Sequence, residues 1–216
     1  MGLRERKKQE TRVALSWATM RLILERGWDN VTVEDIAAEA SVSVRTFRKY
    51  SSSKAEAFVA RYLDRMLRVA DDLRACPADE SLSEAVVGAV QARFSSEPDA
   101  NDGYPRCREW ADDIRLMLTE PDVQSEFLRA GMLIQHELAR AIAERIGTDL
   151  MRDVYPNLVA AATGEATMVA MDQWLSANPP VEIGPLLREV LDRPWAGRSA
   201  PERDALTYEG SLGGPL

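Results

Sequence analysis

The chain has 216 residues, with 27 Lys and Arg against 35 Asp and Glu, which gives a formal net charge of −8. That length suits one large domain or two small ones, and the apolar fraction of 45% excludes a disordered chain. The acidic total argues against a protein that coats nucleic acid, but residues 1–74 carry a net +4 and residues 75–216 a net −12, so only the N-terminal part is suited to a polyanion.

Helical periodicity runs through nearly the whole chain, and strand patterns are almost absent. The fold is therefore expected to be all-α. Apolar residues at spacings of four, three and four predict the inner face of a first helix: Val13, Trp17, Met20 and Leu24. Gly27 is a natural left-handed residue at the end of this helix, with Trp28 folding back onto it.

Two short helices follow the first. Thr32 and Asp35 predict a capping box at the start of one, and its inner face is expected to contain four apolar residues: Val33, Ile36, Ala37 and Ala40. Residues 41–43 form a turn, and Ser43 caps a helix from 44 to 50. A second capping box, Ser53 to Glu56, opens a long helix that ends near residue 74.

The rest of the chain is predicted to form longer helices. Their ranges are 81–94, 105–118, 121–146, 150–177 and 183–191. Pro156 is expected to break or kink the fourth of these near its start, and Pro179 to stop it. Four segments result: a head of residues 1–54, a connecting helix of 54–74, a body of 75–195 and a loosely held tail of 196–216.

Two short helices joined by a three-residue turn form a helix-turn-helix, whose second helix can enter the major groove of DNA. That helix reads VRTFRKY, with Val44 and Phe47 pointing inward. The expected base-side contacts come from its outer side chains, Arg45, Thr46, Lys49 and Tyr50, with Ser43 at its start. The expected phosphate contacts are Thr32, Arg48 and Lys54, the last beside the free N–H groups of a helix start.

A basic arm precedes the first helix and consists of Arg4, Arg6, Lys7 and Lys8. Such an arm suits the DNA backbone or a minor groove. A solvated basic face on a small helical bundle would explain any one of these features alone. The coincidence of a tri-helical unit, a basic recognition helix, a phosphate anchor and a basic arm favours binding to double-stranded operator DNA.

Residues 25–58, ERGWDNVTVEDIAAEASVSVRTFRKYSSSKAEAF, resemble the tetracycline-repressor (TetR) family of bacterial transcription regulators. The matching features are an aromatic after the Gly, a T-V-x-x-I-A pattern and a Ser-Lys pair that opens the fourth helix. Ser41 stands where the family often has Gly, and Ser51 where most relatives have Phe. The later segments IRLMLTEPDVQSEF, ARAIAERIG and MDQWL resemble the branch whose C-terminal domain binds acyl-CoA-like ligands.

The resemblance implies an effector pocket and a homodimer interface in the body. The interface is expected within residues 150–177 and 183–193, where small residues such as Ala160 and Gly164 permit close helix approach. The candidate ligand contacts are adaptable apolar residues together with polar or amphipathic ones. They are Trp110, Met117, Phe127, Met132, Gln135, His136, Glu165, Met168, Met171 and Asp172. Ordinary core packing is the competing explanation for most of them.

The function expected is that of a repressor released from a palindromic operator by a small apolar or acyl-CoA-like effector. No catalytic, metal or cofactor site is expected, because the chain has two cysteines, a single histidine and no phosphate-cradling glycine loop. No apolar run is long enough for a membrane span or a signal core, so a cytoplasmic protein is expected. The alternative is a helical ligand-binding or scaffold protein that has lost DNA binding; an enzyme is a remote third possibility.

Overall fold

The computed structural model describes residues 3–95, 108–178 and 181–193. In these residues the chain forms only helices, which confirms the all-α prediction. Their bounds are α1 Leu3–Arg26, α2 Val33–Glu39, α3 Val44–Tyr50, α4 Lys54–Ala75, α5 Leu82–Ser95, α6 Arg108–Met117, α7 Pro121–Ile146, α8 Tyr155–Ser176 and α9 Ile183–Asp192. The predicted tail, residues 196–216, lies outside the described residues. Among the described helices, none combines the length and apolar character that crossing a bilayer requires.

The buried face of α1 differs from the predicted one. The residues most deeply buried are Leu15, Ala18, Leu22 and Ile23, whereas the predicted set is only half-buried on the other side of the helix. Ser16 and Thr19 interrupt the buried face, and the Thr19 hydroxyl donates to the Leu15 carbonyl at 2.8 Å. Because these two small residues are polar, the apolar periodicity of the sequence does not reveal this buried face.

The head is built from short helices with side-chain caps. Gly27 ends α1 with φ at +79°, a conformation that favours glycine, and Trp28 begins a single 3-10 turn packed against the core. The predicted turn at 41–43 is confirmed, with Ser41 at φ +54°. Because Ser41 is not glycine, this turn holds some backbone strain.

The body is organised around α4, which packs against α1, α5 and α7. α7 runs alongside α4 in the same direction, since Phe127 meets Tyr62 near its start and Glu144 meets Arg74 near its end. Gly147 ends α7 in the left-handed conformation, and α8 returns along α7. α9 then packs on both α5 and α8, closing the bundle.

The start of α8 corrects the prediction for residues 150–177. The helix begins at Tyr155, so Pro156 starts it rather than kinking it. The N–H that proline lacks would have no acceptor within the helix at a first-turn position, and the fixed φ of proline is already close to the helical value. Asp153 prepares this entry by accepting the Tyr155 amide at 2.9 Å.

Candidate DNA-binding surface and ligand cavity

The third helix, α3, is held in place by its two ends and one buried aromatic ring. The Ser43 hydroxyl accepts the Thr46 amide at 3.1 Å, which confirms the predicted cap. Phe47 is fully buried and anchors the helix in the head core. Ser51 is also buried, and its amide donates to the Phe47 carbonyl. Phe58 is buried and Tyr50 packs on the core.

The outer face of α3 presents three cations to solvent. Arg45, Arg48 and Lys49 are exposed, and no ion pair joins any of them to another residue in the described part of the chain. No acidic residue occurs between positions 40 and 55. Thr46 and Tyr50, which share this helix, are half-buried, and the Lys49 ammonium lies 5.5 Å from the Tyr50 ring centroid. The structure therefore places the predicted base-side residues on one short basic helix.

Thr32 is engaged within the head. Its hydroxyl donates to the Asp35 carboxylate at 2.5 Å and accepts the Asp35 amide at 3.2 Å, while its own amide donates to that carboxylate. The predicted capping box is confirmed. The side-chain hydrogen bond from Thr32, more than the backbone one, lowers the pKa of Asp35 below its usual value. The hydroxyl proton of Thr32 is thus already directed at a carboxylate.

Lys54 is likewise tied to the head. Its ammonium donates to the carbonyls of Trp28 at 2.5 Å and Val31 at 3.3 Å, and it lies 4.5 Å from the Trp28 ring centroid. Two of its three N–H donors are therefore directed inward. Lys54 fastens the start of α4 to the segment between α1 and α2.

The second predicted capping box is only half formed. The Ser53 hydroxyl accepts the Glu56 amide at 3.0 Å, as expected for an N-cap. The Glu56 carboxylate, however, accepts the amide and hydroxyl of Ser52 rather than the amide of Ser53. Three consecutive serines offer this alternative donor one residue earlier, which sequence spacing alone does not distinguish.

The basic arm is described only in part. Lys7 and Lys8 are exposed near the start of α1. The side chains of Arg4 and Arg6 lie outside the described part of the chain. The prediction that this arm precedes the first helix is wrong, because α1 begins at Leu3 and includes all four positions.

A cavity of about 600 Å³ lies between α4, α7 and α8. It is lined by Tyr62, Leu118, Gln124, Phe127, Leu128, Gly131, Met132, Ile134, Gln135, Ala160, Ala161, Gly164, Glu165 and Met168. Five predicted ligand contacts are in this set: Phe127, Met132, Gln135, Glu165 and Met168. The structure brings these five together at one site.

The other predicted ligand contacts lie elsewhere or are not described. Met117 is buried in the core at the end of α6, and Met171 is half-buried beyond the cavity. His136 and Asp172 are exposed on α7 and α8. The side chain of Trp110 lies outside the described part. His136 follows Gln135 by one residue, and a turn of about 100° per residue directs it away from the cavity.

Sequence reasoning missed several lining residues. Tyr62 was assigned to the connecting helix, although it forms one wall of the cavity. Gly131 and Gly164 carry no hydropathy signal, and they open space because an added Cβ at either would meet no heavy atom within 4 Å. The available signal was the presence of small residues on α7 and α8, since small residues on neighbouring helices bring the helices close or leave room between them.

The cavity has aromatic walls and one charged group among its described lining residues, Glu165. The Tyr62 and Phe127 rings are 5.3 Å apart between centroids and tilted by 54°. Burial raises the pKa of Tyr62, and the Glu165 charge raises it further, so the phenol remains protonated. The site therefore offers a neutral hydroxyl, a carboxylate and a largely apolar surface.

The cavity wall and the head are connected by two adjacent residues of α4. Tyr62 lines the cavity, whereas the Arg61 guanidinium lies 3.9 Å from the ring centroid of Trp17 on α1. A change in the position of α4 at the cavity would therefore be transmitted through Arg61 and Trp17 to α1, the first helix of the head.

The outer face of α8 carries exposed apolar side chains. Leu158 is 63% exposed and Val169 47% exposed. Three of the small residues in the proposed interface range, Ala160, Ala166 and Ala170, are buried within the protomer, as are Leu187 and Leu191 of α9. Packing inside the chain accounts for these, and the surface that remains available on α8 is the one that holds Leu158 and Val169.

Comparisons with known proteins agree with this geometry. Residues 17–60 match the family model described as bacterial regulatory proteins, tetR family, and residues 80–198 match the model described as MftR C-terminal domain. The chain is 32% identical over 176 residues to the HTH-type transcriptional regulator TcmR of Streptomyces glaucescens, an alignment that covers 80% of this chain and 76% of TcmR.

Solved structures share the fold at low sequence identity. The fatty acid degradation regulator FadR of Bacillus halodurans is 15% identical, with a TM-score of 0.55 over 87% of this chain and 95% of its own. NalD of Pseudomonas aeruginosa, the secondary repressor of the MexAB-OprM multidrug efflux pump, is 14% identical, with a TM-score of 0.52 over 88% of this chain and 97% of its own.

Proposed function

This chain belongs to the TetR family of bacterial regulatory proteins, and we propose that it is a homodimeric repressor released from a palindromic operator by a small apolar or acyl-CoA-like effector. The family consists of DNA-binding transcriptional regulators rather than enzymes, and its members bind operators and form dimers. In this chain, the head, residues 1–54, is proposed to bind the operator, and the body, residues 75–195, to bind the effector and to form the dimer.

The observation that carries the DNA-binding proposal is the outer face of α3. Arg45, Arg48 and Lys49 are exposed without an ion pair to any described residue, whereas Arg21 and Arg26 elsewhere in the head are paired with Glu39 and Asp35. Exposed cations on a helix that projects from a helix-turn-helix suit contact with phosphates and with guanine edges in the major groove.

The side chains of the recognition helix that are proposed to read bases are Arg45, Thr46, Lys49 and Tyr50. Ser43 fixes the start of this helix. Arg48 contacts phosphate. Thr32 and Lys54 are also proposed as phosphate contacts, although the Thr32 hydroxyl and the Lys54 ammonium already form hydrogen bonds within the head. The remaining N–H of Lys54 and the backbone N–H groups at the start of α4 are the proposed donors to phosphate.

The effector acts through α4. A ligand that fills the cavity presses on Tyr62, and the neighbouring Arg61 transmits the movement to Trp17 of α1. The two heads of the dimer then change their spacing relative to successive half-sites. The ligand shifts this equilibrium only as far as its affinities for the two spacings differ.

The dimer interface is proposed within residues 150–177 and 183–193. Leu158 and Val169 lie on one side of α8, eleven residues or about three helical turns apart. A two-fold axis beside this helix would pair it with its copy in a four-helix arrangement that includes α9. Apolar exposure on this face supports the proposal.

The test is DNA binding by fluorescence anisotropy, using a labelled fragment from upstream of the chain's own gene and a random fragment of equal length. Arg45→Ala should weaken operator binding by about 1–3 kcal/mol and reduce the preference for operator over random DNA. Arg115→Ala is the matched control, because Arg115 is an exposed arginine on α6, outside the head and outside the proposed dimer interface.

Three results would count against the proposal. An absence of binding at low salt would favour a ligand-binding or scaffold protein without DNA binding. Equal losses for Arg45→Ala on both fragments would remove Arg45 from the base readers. An effect of Arg115→Ala as large as that of Arg45→Ala would mean that the recognition helix is not the contact surface.

A further inference from the structure

The walls of the cavity between α4, α7 and α8 suit a rigid hydrophobic body. Tyr62 and Phe127 form a tilted aromatic pair, and the surrounding apolar side chains are Leu118, Leu128, Met132, Ile134 and Met168. Methionine adapts its shape to a bound molecule, and aromatic rings favour flat or polycyclic partners. These residues determine shape but do not determine the charge of the effector.

The charge of the cavity comes from Glu165, an exposed carboxylate that lies at the mouth of the cavity, on the side of α8 next to Leu158 and Val169. It is the one ionisable acid or base apart from Tyr62 among the described residues that line the cavity, and no salt bridge joins it to a described residue. Gln124 and Gln135 add neutral amides, and the Tyr62 phenol stays protonated. Arg129, which follows the lining residue Leu128 on α7, is 67% exposed and pairs with Glu126 at 3.2 Å.

We propose that the effector is a hydrophobic organic cation, whose apolar body lies against Tyr62 and Phe127 and whose positive group pairs with the Glu165 carboxylate. This inference rests on the proposed function, because it assigns the ligand class of the same effector cavity, and of the two effector classes named there it excludes the acyl-CoA-like one. Burial of Glu165 under a bound ligand strengthens its attraction for a cation, since the effective dielectric falls as water is excluded. The same carboxylate repels an anionic acyl thioester.

The glycines provide a way to test occupancy. An added Cβ at Gly164 or Gly88 would meet no heavy atom within 4 Å, but only Gly164 lines the cavity. Both glycines lie inside helices, where replacement by a better helix former favours folding. Because Gly164 lines the cavity, Gly164→Leu should fill it. Gly88→Leu, on α5, is the matched control, because Gly88 does not line the cavity.

The experiment measures binding of three probes to the full-length protein at low salt, with tryptophan fluorescence and isothermal titration as readouts. Rhodamine 6G is the hydrophobic cation, N-phenyl-1-naphthylamine the neutral probe and lauroyl-CoA the anion. We expect rhodamine 6G to bind at least about tenfold more tightly than lauroyl-CoA. Gly164→Leu should weaken binding of rhodamine 6G and of the neutral probe, and Gly88→Leu should leave both unchanged.

Glu165→Gln separates charge from shape. It should weaken rhodamine 6G binding by about fivefold to tenfold, as for a partly desolvated charged hydrogen bond, and leave the neutral probe unchanged. Asp172→Asn is the matched control, because Asp172 is an exposed carboxylate on the same helix outside the cavity lining. Added salt should reduce the difference between wild type and Glu165→Gln.

The inference is overturned if lauroyl-CoA binds more tightly than rhodamine 6G, if Glu165→Gln weakens the neutral probe as much as the cation, or if no cation binds. Operator binding without probe is measured in parallel on the same preparations. Intact operator binding with no preference for the cation would reject the ligand class and keep the regulator. A cation preference without operator binding would reject the repressor and keep the ligand class.

Discussion

Most helices of the head and of the body of this protein begin in different ways. Three helix starts at the head, those of α2, α3 and α4, have a hydroxyl cap: Thr32, Ser43 and Ser53. Three body helices start without a side-chain cap, at Glu120, Val154 and Glu182, and α5 is the exception, because the Ser81 hydroxyl accepts the Glu84 amide at 3.3 Å. Helices of seven residues, such as α2 and α3, are unstable alone, so local hydrogen bonds matter most there. α7 and α8, with 26 and 22 residues, obtain their stability from packing.

The two regions also use arginine differently. In the body, Arg74 bridges α4 to α7 through Glu144 at 2.7 Å and Glu137 at 3.5 Å, and Arg93 pairs with Asp72 between α5 and α4. On α3 of the head, Arg45 and Arg48 have no such partner among the described residues. Internal ion pairs position the body helices, whereas the recognition helix keeps its charges available for phosphates.

The largest effect is expected from Phe47→Ala. Phe47 is fully buried in a small core, so its truncation should reduce the free energy of unfolding by about 3–5 kcal/mol. Since domains of this kind have a total of roughly 5–15 kcal/mol, the head should lose its structure before the body does. Operator binding should then disappear, while binding of rhodamine 6G in the cavity is retained, as measured by titration and by circular dichroism.

Phe47→Leu is the control, because it keeps most of the buried volume and should retain operator binding. If Phe47→Ala abolished cavity binding as fully as operator binding, head and body would unfold as one cooperative unit. The head and the body would then differ in sequence but would not differ in stability.

A smaller effect is expected from Lys54→Ala, and it separates the two roles assigned to this residue. Loss of the hydrogen bonds to the Trp28 and Val31 carbonyls should lower the free energy of unfolding by roughly 1–3 kcal/mol. If Lys54 also contacts phosphate, the slope of log affinity against log salt should fall by about one unit, on operator and random DNA alike.

Lys49→Ala serves as the comparison, because Lys49 is exposed and its ammonium forms no hydrogen bond with the described residues of the head. It should change the salt slope with little change in stability. A Lys54→Ala variant that is less stable but keeps the full salt slope would make Lys54 purely a structural fastener between α4 and the preceding segment.

Much of the head was predictable because its structure is local. The Thr32–Asp35 box, the Ser43 cap and the turn at Ser41 depend on residues within three positions of one another, and each was predicted from spacing. The reciprocal half of the Ser53 box was predicted wrongly, since Ser52 offers Glu56 an equivalent donor. Side-chain engagement over longer distances, such as Lys54 with Trp28, left no trace in the spacing.

The cavity was predicted less completely because it depends on how long helices are rotated against one another. Phe127, Met132 and Met168, three of the candidates, line the cavity, but Met171 and His136, only a few residues away on α8 and α7, lie outside the lining. A one-residue step turns a side chain by about 100°, so hydropathy alone cannot separate a cavity wall from its neighbours. Tyr62 was missed because its helix was interpreted only as a connector.

The smallest of these effects is expected from Ser43→Ala, which compares a capped start with an uncapped one. Removing the hydroxyl that accepts the Thr46 amide should cost about 1 kcal/mol, the usual value for an N-cap serine. Glu120→Ala at the start of α7 is the matched substitution and should change stability by less, because Glu120 makes no side-chain cap hydrogen bond and Pro121 already fixes the first turn. Both are measured by urea denaturation at constant protein concentration, which keeps dimerisation equal. Equal losses in the two variants would mean that capping does not distinguish the head from the body, and the short helices of the head would then owe their stability to Phe47 and the packing around it.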